Sequence, residues 1–142
     1  VNADMLKSHS GNYKIAKDNA AEIYRQLFTM HKDMANYWDA EDIDVDNLMK
    51  AQKFIMNGQQ MLPIFFRMPA AVADERNWRR TLSEFKEIFE DVNAPMSEFK
   101  NLKDPFLETM RIHAGGLSAD QKSEWSELLD KAYADMKGFG WY

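Results

Sequence analysis

Hydrophobic residues recur at intervals of three and four along most of the chain, the spacing of one face of an α-helix. No run alternates apolar β-branched residues with polar ones, and only 6 Gly and 4 Pro occur among 142 residues. The pattern therefore predicts an all-α protein, with residues 1–142 forming a single domain. The first stripe consists of Ile23, Leu27, Met30 and Met34, widened by Tyr24 and Phe28, and predicts a helix ending near residues 31–38.

Four further helices follow from the same periodicity, over residues 48–66, 78–92, 99–113 and 125–136. The predicted inner face of the first of these consists of Leu48, Gln52, Ile55, Gln59, Leu62 and Phe66. We expect Pro63 to bend this helix and Pro105 to break the 99–113 helix, because proline removes a backbone hydrogen bond. Ser118 and Gln121 have the spacing of a capping box and predict the start of the last helix. The polar residues 1–14 predict a loosely ordered N-terminal segment.

Composition and charge exclude several classes of protein. Lys and Arg number 18 against 23 Asp and Glu, a net charge of −5, and the basic residues are scattered among acids, so a nucleic-acid partner is not expected. No apolar stretch approaches the roughly 18 residues of a membrane helix, and we expect no membrane partner. Because cysteine is absent, disulfides, thiolate metal sites and cysteine nucleophiles are absent as well.

The residues that carry most protein chemistry form no recognisable constellation. His9, His31 and His113 lie in three separate segments without metal-ligand spacing. The acidic run over residues 39–47 has no glycine at the sixth position of a calcium-loop frame, and the frame from Asp39 ends at Lys50. No phosphate-binding loop and no nucleophile elbow is present. We therefore predict no catalytic residue, no metal site and no enzymatic activity.

Several short motifs, taken in order, resemble those of the globin family, and specifically the nematode globins. Residues 23–28 are similar to the helix whose tyrosine hydrogen-bonds bound oxygen, which implies that Tyr24 lies over the distal heme pocket. Trp38 stands where the family has a phenylalanine that packs on the heme. Asn57 would occupy the distal position, and Met61 would face the heme pocket one turn later.

The resemblance, which covers roughly residues 15–137, also identifies the position of the family's iron-binding proximal histidine. Residues 75–125 align with the family almost without gaps, which places that position at Ile88, or within one residue at Glu87 or Phe89. No histidine occurs between His31 and His113, so shifting the alignment does not supply one. The resemblance thus implies a globin-like fold whose former heme-pocket positions are Tyr24, Trp38, Asn57, Met61 and Ile88.

The substitution at the proximal position determines the functional hypothesis. In a globin, a neutral imidazole holds five-coordinate iron and leaves the opposite side open for oxygen, whereas Ile88 offers only methyl groups. The leading hypothesis is a binding or interaction protein that has lost conventional heme-based oxygen binding and carries no cofactor. Its partner would be an apolar small molecule in the former heme cavity or a protein on its surface.

Two other interpretations stay open at this point. One is a heme-binding oxygen carrier or sensor with an unusual axial ligand, for which Met61, Met56 and Tyr24 are the candidates. The other assigns Tyr24 to the core, with its hydroxyl bonded to Asn57 or to water. Members of the nematode group include exported globin-like antigens, so the resemblance extends to an extracellular location. The sequence predicts neither the compartment nor the oligomeric state.

Overall fold

The computed structural model describes all residues from Val1 to Tyr142, and it contains helices and turns but no strand. Its α-helices are α1 (Ala3–Gly11), α2 (Glu22–Met30), α3 (Gln52–Ala71), α4 (Glu75–Asp91), α5 (Lys103–His113) and α6 (Ala119–Gly138). Three 3₁₀ helices lie between them, at Lys32–Trp38, Val45–Lys50 and Met96–Leu102. The all-α prediction is confirmed. None of these helices combines the length and the hydropathy that a membrane span requires.

The core is one cluster of 37 buried hydrophobic residues to which all six α-helices contribute. Each helix buries one stripe and leaves the other side in water, as the periodicity predicts. On α3 the buried face is rotated from the predicted one, because Gln52 and Gln59 are exposed while Phe54, Met61 and Phe65 are buried. The side chains of both glutamines in the predicted stripe therefore face solvent.

The stripe that predicted the first helix is divided between two kinds of helix. The α2 helix ends at His31, whose φ of −132° and ψ of 76° leave the helical region. The chain continues as the 3₁₀ helix Lys32–Trp38, which keeps Met34 and Trp38 buried. That helix ends at Asp39 with a φ of 55°, a left-handed conformation that aspartate tolerates better than most residues. Trp38 is thereby held at the end of a tight turn against the core.

A glycine lets α3 approach the turn that precedes α2 very closely. A Cβ atom added at Gly58 would lie 1.7 Å from the carbonyl oxygen of Ala20, well inside van der Waals contact. Any other residue would force α3 away from this turn. Because α2 begins two residues after Ala20, this contact also influences how closely Tyr24 approaches α3.

Neither Pro63 nor Pro105 interrupts the helix in which it lies. The α3 helix continues in α-helical form through Pro63 to Ala71, so Pro63 does not end it, and the bend expected there stays a prediction. Pro105 lies in the first turn of α5. The N–H groups of a first turn have no acceptor within the helix, so the N–H that proline lacks costs no helical hydrogen bond there. The break predicted at Pro105 lies before it, where the 3₁₀ helix Met96–Leu102 passes into α5.

The N-terminal segment differs from the loosely ordered one predicted for residues 1–14. Ala3–Gly11 forms α1, whose Leu6 and His9 are buried. The indole N–H of Trp125 donates to His9 Nδ1 at 2.9 Å, which leaves the proton on His9 Nε2, and this donates to the Gly116 carbonyl oxygen at 2.8 Å. These two bonds hold α1 against α6, a tertiary contact that local sequence does not reveal.

The start of α6 confirms the predicted capping box. Ser118 Oγ accepts a hydrogen bond from the Gln121 N–H at 3.1 Å, and Gln121 Oε1 accepts from the Ser118 N–H at 2.8 Å. Two of the unpaired N–H donors at the start of the helix are thus satisfied by side chains three residues apart.

Candidate functional site: the predicted ligand pocket

Tyr24 lies on α2 with its ring enclosed by other rings and its hydroxyl without a partner. Its ring centroid is 5.4 Å from those of Trp38 and Phe54 and 5.9 Å from that of Phe28. The side chain is 1% exposed, and no group forms a hydrogen bond of standard geometry with its hydroxyl. Burial raises the pKa of the Tyr24 hydroxyl far above its ordinary value, and the Trp38 indole, approaching it as a hydrogen-bond donor, acts in the opposite direction. The phenol is therefore neutral at physiological pH.

Trp38 connects the rings on α2 and α3 with those on α4. Its ring meets Phe89 edge-on at 6.2 Å between centroids, in addition to its contact with Tyr24. Its backbone carbonyl accepts a hydrogen bond from Lys53 Nζ at 2.7 Å. Edge-to-face contacts of this kind fix the orientation of a ring. The Trp38 indole therefore occupies the space between α2 and α4.

The two predicted positions on α3 behave differently from each other. Met61 is completely buried, as expected for a residue that faces the interior. Asn57 is half-buried and forms no side-chain hydrogen bond, so the Tyr24–Asn57 bond admitted by the sequence does not form. Met56, one of the alternative axial ligands, is 57% exposed and faces away from the interior.

Ile88 lies on the buried side of α4 with 5% of its surface exposed. Its neighbour Glu87 is exposed, and Phe89 is fully buried. The three histidines are elsewhere: His9 and His113 are hydrogen-bonded to other side chains, and His31 lines an open surface pocket of about 300 Å³. The proximal position predicted from the sequence thus holds an aliphatic side chain in the core.

The comparisons with known proteins identify the family. Residues 21–136 match the globin family model. The chain belongs to the globin family. Two solved structures share its fold, each at 16% sequence identity: hemoglobin from the botfly Gasterophilus intestinalis and a Drosophila melanogaster globin. The botfly protein aligns with a TM-score of 0.67 over 83% of this chain and 81% of its own. The Drosophila globin aligns with a TM-score of 0.71 over 94% and 92%.

These findings confirm the globin-like fold and leave the finer resemblance as a prediction. Both solved structures are insect proteins, and at 16% identity they establish the fold alone. No curated protein sequence matches this globin significantly. The nematode likeness and the exported location therefore stay predictions.

Heme is the cofactor that the globin fold implies, and the residues at the predicted positions do not fit a heme held from the proximal side. Ile88 offers no donor atom, and no three His, Cys, Asp or Glu side chains cluster anywhere in a way that suits a metal ion. None of the five main pockets is lined by Tyr24, Trp38, Asn57, Met61 or Ile88. In this globin the ring of Trp38, one of the predicted positions, meets the ring of Phe89 edge-on at 6.2 Å between centroids.

Two features of the site were missed by the sequence analysis. Phe54 belongs to the ring cluster around Tyr24, and its signal was the spacing of 7, 4 and 3 that joins Phe54, Met61, Phe65 and Met68. The second feature is a surface groove beside Arg76, Arg79 and Arg80. Its signal was three arginines within five residues.

Proposed function

We propose that this globin is a binding or interaction protein that does not carry oxygen on a conventionally ligated heme. The observation that supports the proposal is Ile88, a buried hydrocarbon at the position where the family resemblance places the iron-binding histidine. An aliphatic side chain has no lone pair for iron, so a heme in this space would have no proximal bond. We further propose that the protein has no catalytic role, because no acid–base or nucleophile pair is assembled at these positions.

The packing around Tyr24 favours a surface role over an apolar ligand in the interior. A cavity for a fatty acid or similar molecule would need several hundred cubic ångströms between α2, α3 and α4. The rings of Tyr24, Trp38 and Phe89 follow one another at 5.4 and 6.2 Å, so that they fill this region themselves. This packing therefore favours an interior filled by side chains, and we expect the partner to bind at the surface.

Hemin titration tests the proposal directly. We expect the wild-type protein mixed with hemin to give a broad, weak Soret band, and the hemin to pass rapidly to added apomyoglobin. A sharp, stoichiometric Soret band with slow transfer to apomyoglobin would contradict the proposal, because it would require an axial ligand that this interpretation lacks.

Histidine substitutions along α4 test the position itself. In a background where Trp38→Phe makes room, Ile88→His is expected to raise hemin retention because it supplies an imidazole at the proximal position. Glu87→His is the matched control, since that side chain is exposed and faces away from the core. A gain with Glu87→His and none with Ile88→His would show that the alignment is displaced by one residue.

The unpaired hydroxyl of Tyr24 favours one second candidate, a heme globin with an unusual axial ligand. A phenol oxygen is an accepted axial ligand of iron, and Tyr24 presents one that nothing else in the protein occupies. Under this alternative, Tyr24→Phe would abolish a Soret band that the wild type displays. If the wild type has no such band, the variant has nothing to remove and this candidate is discarded.

A further inference from the structure

A groove of about 750 Å³ lies between α4, α6 and the C-terminal residues 139–142. It shares no residue with the five predicted pocket positions, so its role is independent of whether this globin binds heme. The volume lies within the roughly 300–1,000 Å³ typical of small-molecule sites. We call it the arginine groove, after Arg76, Arg79 and Arg80 on one of its walls.

The arginine groove carries positive charge that the protein does not neutralise. None of Arg76, Arg79 and Arg80 forms a salt bridge, and Arg80 only donates to the Asn77 side chain at 3.2 Å. Each of the other three arginines of the chain forms a salt bridge, as Arg111 does with Glu108. One wall of the groove thus holds three guanidinium groups without a carboxylate partner, in a chain whose net charge is −5.

The position of these arginines in α4 adds to the local charge. They lie in the first two turns of the helix, where the aligned peptide dipoles place partial positive charge and acidic residues are favoured instead. Their mutual repulsion and the helix dipole both disfavour this arrangement in the absence of an anion. A bound anion would relieve both effects.

The acidic side chains of the groove do not cancel this charge. Asp135 Oδ2 already accepts hydrogen bonds from the Trp78 indole N–H at 2.7 Å and from Lys131 Nζ. Glu75 is exposed in the first turn of α4 and forms no salt bridge with the arginines. Asp135 is therefore bonded to Trp78 and Lys131 and forms no salt bridge with the three arginines.

The opposite wall is aromatic and held in place. The Arg79 guanidinium lies 4.4 Å from the ring centroid of Phe139, and Lys86 Nζ lies 5.7 Å from that of Trp141. The backbone N–H of Trp141 donates to the Met136 carbonyl oxygen at 3.0 Å. This bond follows a turn at Gly140, whose φ is 81°. The tail is therefore folded back on α6, and its rings form a preformed surface.

We propose that the arginine groove binds a small organic anion that combines a planar aromatic body with one carboxylate, sulfonate or phosphate group. Guanidinium groups recognise such oxyanions through paired hydrogen bonds, and Arg76 and Arg80 carry free donors for this purpose. The half-buried rings of Phe139 and Trp141 provide faces and edges against which a planar body stacks.

The first test uses 1-anilinonaphthalene-8-sulfonate, an aromatic sulfonate whose emission rises on binding. We expect saturable one-site binding, with energy transfer from Trp78 and Trp141, and weaker binding of the neutral analogue N-phenyl-1-naphthylamine. Equal affinity for the two probes would overturn the proposal, because charge would then contribute nothing.

The second test changes the arginines. The double variant Arg76→Gln/Arg80→Gln is expected to bind the sulfonate about tenfold more weakly, the effect of a change of 1.4 kcal/mol. Arg111→Gln removes one arginine charge outside the groove and should leave the affinity unchanged. Unchanged affinity in the double variant would overturn the proposal.

A single substitution keeps the test valid if the double variant is unstable. Arg76 is exposed and makes no ion pair or cation–π contact, so Arg76→Gln should fold like the wild type. It is expected to weaken sulfonate binding about threefold, which corresponds to about half of the free-energy change of the double variant. An affinity equal to that of Arg111→Gln would count against the groove.

Discussion

Two buried polar side chains, Glu22 and Tyr24, lie two residues apart on α2 and have opposite surroundings. The Glu22 carboxylate accepts two hydrogen bonds from Arg25 at 2.6 and 2.7 Å, one from His113 at 2.9 Å and one from Gln26 at 3.1 Å. The Tyr24 hydroxyl forms no hydrogen bond of standard geometry, although the Trp38 indole lies close enough to lower its pKa. The first group is fully compensated, and the second has only the Trp38 indole to offset its burial in a cluster of rings.

The difference shows what the fold requires and what it tolerates. A buried carboxylate is strongly unfavourable without compensation, so partners from α2 and from the end of α5 converge on Glu22. An unpaired hydroxyl costs about 1–3 kcal/mol, which a well-packed ring can offset. Glu22 therefore joins α2 to α5, whereas the Tyr24 hydroxyl contributes nothing to the fold that a phenylalanine would not.

The largest expected effect concerns the rings that hold Tyr24. Trp38→Ala removes the contacts with both Tyr24 and Phe89 and should lower the free energy of unfolding by about 4 kcal/mol. Trp141→Ala is the control, because that ring is half-buried at the surface and should cost about 1 kcal/mol. Urea unfolding measures both, and equal losses would mean that Trp38 does not hold the interior together.

The second largest effect is expected on removal of the Glu22 carboxylate. Glu22→Ala leaves Arg25 and His113 without their carboxylate and should lower the free energy of unfolding by about 3 kcal/mol. Glu90→Ala removes an exposed ion pair with Lys86 and should cost less than about 1 kcal/mol. A loss at Glu22 no larger than that at Glu90 would show that the cluster is not a structural link.

The pH dependence of stability sharpens the same point. Burial alone would raise the pKa of Glu22, but hydrogen bonds from Arg25, His113 and Gln26 outweigh it and hold the pKa below its ordinary value. A carboxyl whose pKa is lowered in the folded state stabilises the protein above its unfolded-state pKa, and this contribution is lost as the pH falls through the folded value. The stability advantage of the wild type over Glu22→Gln should therefore be constant near pH 7 and shrink below about pH 4.5, near the ordinary pKa of glutamate.

Denaturant unfolding of both proteins at pH 7, 5, 4 and 3 measures this difference. His113 and Arg25 face this carboxylate in the wild type and a neutral amide in the Glu22→Gln variant. An advantage that grows as the pH falls would contradict the lowered pKa of Glu22.

The smallest effect has the opposite sign. Tyr24→Phe removes a buried hydroxyl that has no partner and should raise the free energy of unfolding by about 1 kcal/mol. Tyr13→Phe is the matched control, since the buried Tyr13 hydroxyl donates to the Asn19 carbonyl oxygen at 2.6 Å, and its loss should lower stability by about 1 kcal/mol. Destabilisation by Tyr24→Phe would indicate that the hydroxyl has a hydrogen-bond partner in solution.

Much of the secondary structure follows from the sequence, because helical periodicity and capping are local. The stripe from Trp78 to Val92 spans a single helix, and Ser118 and Gln121 are only three residues apart. Both predictions are confirmed. Local spacing was less informative where proline and 3₁₀ geometry intervene, as at Pro105. It did not detect α1, whose order depends on the distant Trp125.

The sequence by itself determined that Ile88 carries no atom able to hold iron, since side-chain chemistry needs no coordinates. Only the tertiary structure decided that Trp38 meets Phe89, that Tyr24 has no partner, and that three arginines share a groove with the C-terminal rings. Each of these depends on the separation of segments that are far apart in the chain. That separation is set by how the helices pack together and not by the residues on either side.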